Sequence, residues 1–167
     1  QRTAVIDSVD RDVTLNWAWR ALIRGHGMFV MHPMNLDRLA RRPLLTRGLA
    51  WRTGSPPQLL NDQFATQLAA FDRVISGRFH GCCLAMMLGL PVLGLPSNTH
   101  KIEGLFNDVG IGNRGVVDGG DRRDVQERFQ HVQAAQAEVD RYTSAARREI
   151  EALFDDNASL AANQQAA

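Results

Sequence analysis

The sequence predicts an α/β fold, a mainly parallel sheet with helices on both faces. Two observations carry that prediction. Short aliphatic and β-branched runs alternate along the chain with segments whose apolar residues recur every three or four positions. Residues 73–112 then compress two such units into about a quarter of the chain: a β-branched run, two helix starts, and a Gly-Leu-Pro entry into a further strand.

Taken in order, residues 3–8 hold Val5 and Ile6 in a run suited to a strand. Asp10 or Asp12 is placed to cap a helix reaching Arg24, with Val13, Trp17, Ala21 and Leu22 on one side and Gly25 beyond its end. Residues 28–31 are the next apolar run, closed by His32-Pro33. Asn35 is placed to open a short helix to Arg41, stopped before Pro43, and residues 44–51 read as a weak strand.

Gly54-Ser55-Pro56-Pro57 punctuates the chain, with Ser55 as an N-cap and Pro56 at the first helical position. The helix expected there buries Leu60, Phe64, Leu68 and Phe71, and delivers the chain to a strand over residues 73–76. A loop over 77–81, a helix over 82–88 capped by Gly89, and a strand over 92–95 follow. After the loop at 96–100, Ile102, Leu105, Phe106 and Val109 define a helix ended by Gly110, and Val116-Val117 is a last short strand. From residue 121 to about 153 the spacing stays helical. One helix of that length would measure about 50 Å, so a break is expected near Asp140. Residues 1–155 are therefore expected to form one domain, and 156–167 a flexible tail of small and polar residues.

The chain has 167 residues, 44% hydrophobic and 22% charged, enough to bury a core. Its net charge of +1 gives no argument for a nucleic-acid partner. It lacks a run of about 18 apolar residues, and its first segment has no apolar core like that of a secretory leader, so a cytoplasmic setting is expected. Cys82 and Cys83 are adjacent and cannot form an ordinary bridge, which makes them buried free thiols in a reducing compartment. No second Cys or His pair stands at zinc-ligand spacing, so no metal is expected. Of the 19 basic residues one is lysine, Lys101.

In sheets of this kind ligands bind beyond the carboxyl ends of the strands. Two strand-to-helix loops there carry polar and cationic residues. In the first, Arg78 and His80 lie two apart between Gly77 and Gly81, just after Ser76. An extended loop would project both to one side, where the guanidinium grips a carboxylate or phosphate and the imidazole exchanges a proton near neutral pH. In the second, His100 and Lys101 follow Ser97 and Asn98, either of which could cap the helix, and Glu103 sits in its first turn. Each helix start adds a positive dipole end. The bland alternatives are an Arg78 salt bridge, an interior or capping His80, caps at Ser97 and Asn98, and an exposed Lys101. His26, His32 and the tryptophans Trp17, Trp19 and Trp51 read as surface or packing residues.

With these residues in place, the stretch resembles the polysaccharide pyruvyltransferase family: a hydrophobic strand ending in Ser76, the R-F-H-G of Arg78 to Gly81, a helix, then G-L-P-V before a strand, then Lys101. The resemblance implies a Rossmann-like domain, the C-terminal half of a two-domain enzyme resembling GT-B glycosyltransferases. It implies transfer of the pyruvyl group of phosphoenolpyruvate to a sugar hydroxyl pair as a ketal, in bacterial exopolysaccharide biosynthesis, with no cofactor beyond that donor. Arg78 and His80 would be catalytic, and Ser76, Gly77, Gly81, Ser97, Asn98, His100 and Lys101 would bind substrate. The acceptor would be a saccharide or lipid-linked saccharide, which could bring the enzyme to a membrane surface. The N-x-G-D loop that opens such enzymes is missing here. The alternatives are the nucleotide-sugar half of a GT-B glycosyltransferase and a non-catalytic partner-binding domain. Against the first, Leu84 and Ala85 stand where such enzymes carry a ribose-binding Glu.

Overall fold

A computed structural model of the chain describes residues 2–8, 27–30, 58–59, 63–96, 99–118 and 122–165. Among these residues five strands form one sheet: β1 (Thr3–Ser8), β2 (Gly27–Val30), β3 (Gln58–Leu59), β4 (Arg73–Gly77) and β5 (Val92–Gly94). Every pairing is parallel and the spatial order is β3-β2-β1-β4-β5. A parallel bridge from Gly94 to Val116, supported by the Val117 N–H donating to the Gly94 carbonyl at 2.8 Å, extends the edge beyond β5. That is the order of doubly wound, Rossmann-like sheets.

The central strands are buried along their length. Thr3 to Ile6 of β1 and Val74 to Gly77 of β4 are closed to solvent, as expected for parallel strands covered on both faces. The helices among the described residues are α1 (Phe64–Ala69), α2 (Phe79–Met87), α3 (Lys101–Asp108), α4 (Arg122–Ala134) and α5 (Gln136–Gln165), with a 3₁₀ turn at Gly112–Gly115. Phe64 and Leu68 of α1, Ile102, Leu105 and Phe106 of α3, Phe129 and Val132 of α4, and Val139 of α5 join one core with the strands. Arg128 ties α4 to the turn before it, donating to the Val116 carbonyl at 2.8 Å while pairing with Asp124 at 3.0 Å.

Several boundaries differ from the sequence expectation. Gln58 and Leu59 form β3 on the edge of β2, and the helix expected from Pro56 begins at Phe64. The ladder groups of Phe29 and Val30 gain backbone partners this way, a tertiary demand that outweighs a local helix signal. Helix α2 starts at Phe79, three residues before the expected Cys82, so Arg78 and His80 do not alternate on an extended loop. The break between α4 and α5 falls at Ala135, whose N–H is shared between the carbonyls of His131 and Val132, and not near Asp140. A turn there lets Val139 return to the core. Helix α5 runs on to Gln165. Gly89 adopts φ +68°, as a helix-ending glycine does. The helices expected over 10–24 and 35–41 and the strand over 44–51 lie outside the described residues.

Candidate functional site

Strand β4 carries an arginine at each end, with different surroundings. At the amino end, Arg73 is built into the frame: Nε donates to Thr3 Oγ1 and Nη1 to Gln126 Oε1, each at 2.8 Å, and the guanidinium lies 4.5 Å from the Phe129 ring centre. At the carboxyl end, Arg78 is the N-cap residue of α2, half-buried, with extended φ −119° and ψ 130°. Its side chain does not cap the helix, and no acidic residue lies in the first turn. A positive helix end beside a guanidinium favours an anion.

The backbone of Arg78 is held by Ser76. The Arg78 N–H donates to Ser76 Oγ at 3.1 Å, and the Ser76 hydroxyl donates to the Arg78 carbonyl at 2.9 Å. Ser76 is 0% exposed, so its hydroxyl faces the fold and not solvent. Gly81 explains how the helix fits so closely: a Cβ built there would lie 2.5 Å from Ser76 Oγ and 2.9 Å from Ile6 Cδ1. Gly77 is the last residue of β4, buried and paired in register with Ser8 of β1.

His80 occupies the first turn of α2, exposed, with its ring edge-on to Phe79 at 5.7 Å between centres. Cys82, one turn in, is fully buried, and its thiol donates to the Ser76 carbonyl at 3.8 Å. Burial pushes the Cys82 thiol up to about 12, against a smaller opposing effect from its contact with Ser76. It is a packing group and not a nucleophile at neutral pH. Cys83 is raised as well, again by burial. Both are free thiols, Cys82 buried as expected and Cys83 only half-buried, because it lies on the other side of α2.

Strand β5, which leads to the second loop, pairs with β4: Ser76 is in register with Gly94, and the Leu95 N–H donates to the Ser76 carbonyl at 2.8 Å. His100 is the N-cap residue of α3 and Lys101 its first residue, both exposed. The N-cap is therefore neither Ser97 nor Asn98, and those two lie outside the described residues. Glu103 stands in the first turn with Oε2 buried and, among the described residues, without a hydrogen-bond partner. Arg78 and His80 thus stand at the helix start that follows β4, and His100 and Lys101 at the helix start that follows its neighbour β5.

Sequence reasoning missed the opposite side of the edge. Strand order reverses between β1 and β4, and in open parallel sheets ligands bind at that reversal. The β1 register against β4 shifts between Ile6 and Ser8, with Asp7 as the extra residue of the ladder, an irregularity of the kind found beside functional sites. A short strand ending in Asp7-Ser8 was visible in the sequence, but only the strand order brings it next to Gly77.

Among the described residues no helix is long and apolar enough to cross a membrane. No curated protein matches the chain. The family resembled by the sequence is nevertheless the one whose model it matches: that of the polysaccharide pyruvyl transferases fits residues 41–99, a span that holds β3 to β5 and the whole of Ser76, Arg78, His80 and Gly81.

Proposed function

We propose that this domain binds phosphoenolpyruvate at the carboxyl edge of β4 and β5 and serves its transfer, as a pyruvyl ketal, to two hydroxyls of a saccharide. The observation that carries this is Arg78 at the open start of α2, within the span that matches the family. Phosphoenolpyruvate has a carboxylate and a phosphate. Arg78 supplies a fork for one of them, and the starts of α2 and α3 with Lys101 supply positive charge for the other.

The chemistry needs a proton delivered to the methylene carbon of the enol, and attack by one sugar hydroxyl on the neighbouring carbon. A second hydroxyl then attacks the same carbon while the bond to phosphate oxygen breaks, and the two hydroxyl protons leave to solvent, phosphate or a protein base. His80, exposed beside Arg78, supplies an imidazole in place to serve as proton donor or acceptor. The other wall of the cleft, with most of the acceptor contacts, would come from a second domain of the GT-B-like enzyme.

The test is ligand-induced stabilisation. Millimolar phosphoenolpyruvate should raise the melting temperature, and a uridine diphosphate sugar should not. Arg78→Ala should abolish the phosphoenolpyruvate shift. Stabilisation by the nucleotide sugar alone would assign the domain to a glycosyltransferase instead.

A further inference from the structure

We infer that Ser76 is the positioning residue of this site, fixing Arg78 from beneath without touching ligand. The assignment presupposes the phosphoenolpyruvate reading only where it concerns ligand affinity. The resemblance to the family places Ser76 among substrate-binding residues, but the structure gives its side chain no solvent-facing surface. Both hydrogen-bonding functions of its hydroxyl are engaged with one residue: the oxygen accepts from the Arg78 N–H and the proton goes to the Arg78 carbonyl. A two-way clasp of this kind sets the backbone on both sides of the Arg78 Cα, and so the direction from which the guanidinium leaves the chain.

Three further contacts make the clasp rigid. The Ser76 carbonyl accepts from the Leu95 N–H at 2.8 Å, which anchors it to β5, and from the Cys82 thiol at 3.8 Å, which anchors it to α2. Gly81 leaves just the space that the Ser76 hydroxyl fills, with Ile6 of β1 closing the other side. Serine at 76, arginine at 78 and glycine at 81 are therefore one device. The serine orients the arginine, and the glycine lets the helix start close over the serine.

Positioning is separable from general stability by comparing Ser76→Ala with Leu68→Ala, an equally buried residue that lies on another helix, α1. Both should lower the melting temperature. Only Ser76→Ala should speed hydrogen exchange at the Arg78 amide, read by NMR without ligand, and weaken phosphoenolpyruvate binding, by roughly 10-fold, the worth of one hydrogen bond to a charged group. Should Ser76→Ala be too unstable, Ser76→Cys fills a similar volume with a weaker donor and acceptor, and should fall between. Unchanged Arg78 exchange in the serine variants overturns the inference whatever the ligand is. Unchanged affinity in a serine variant, with affinity lost in Arg78→Ala, overturns it too. Unchanged affinity in Arg78→Ala instead overturns the phosphoenolpyruvate reading, and the exchange measurement then decides the role of Ser76 by itself.

Discussion

His80 and the two cysteines show how one turn of helix separates chemistry from packing. His80 is exposed at the start of α2, and Cys82 two residues later is sealed. His80→Gln should lower turnover by about 10²–10⁴-fold if it transfers the proton, with the phosphoenolpyruvate-induced rise in melting temperature retained. A smaller effect on turnover would limit it to hydrogen bonding. For Cys82, burial holds the thiol protonated up to about 12, against 9.0 ordinarily. Below pH 9 both folded and unfolded chains keep the proton, so the group does not make stability depend on pH. Between the two values the unfolded chain releases it and the folded one does not, so stability falls as pH rises. Denaturant midpoints at pH 8 and pH 10.5 should therefore converge in Cys82→Ala relative to the parent. A thiol reagent at pH 8 should label the half-buried Cys83 before Cys82, as peptide mass spectrometry would show.

At the scale of elements, the start of α2 depends on Gly81 and the C-terminal edge of the sheet on Phe106. Gly81→Ala would push a methyl into Ser76 and Ile6, two buried side chains with no room to retreat. Overpacking of this kind costs about 1–3 kcal/mol, and here it should also weaken phosphoenolpyruvate binding, because the displaced element carries Arg78. Phe106 is fully buried in α3 and packs beneath the strand edge. Phe106→Ala should cost about 3–5 kcal/mol in chemical denaturation while leaving ligand affinity nearly intact in the folded fraction. A loss of affinity larger than the loss of stability would show that α3 positions Lys101 more tightly than its exposure indicates.

Across the whole molecule, α5 stands apart. Its 30 residues correspond to about 45 Å. Val139 near its start is buried, whereas Ile150, Leu153 and Phe154 are 54%, 62% and 72% exposed. Leu153→Gln in this chain should therefore move the melting temperature by less than a degree or two, since surface changes stay within about 0.5 kcal/mol. A large fall would mean that this part of α5 is covered in solution. The sheet itself makes the site a property of the whole fold: β1, β4 and β5 supply three neighbouring carboxyl ends, although β1 and β4 are separated by some sixty residues of sequence.

Local pattern determined the elements that stand on strong periodicity: β1, β4, β5, the stripe of α3, Gly89 as a helix end, and the two strand-to-helix loops with their cations. Apolar spacing, β-branched runs and glycine placement act over a few residues, so a sequence displays them directly. Only the tertiary structure decided three things. It made Gln58-Leu59 a strand, because the edge of β2 lacks a partner until the chain folds back. It started α2 at Phe79, because the Ser76 hydroxyl and the bare face of Gly81 let the helix begin against the strand. And it set β1 beside β4, because strand order follows from burying both faces of the sheet at once, a condition that no single segment contains.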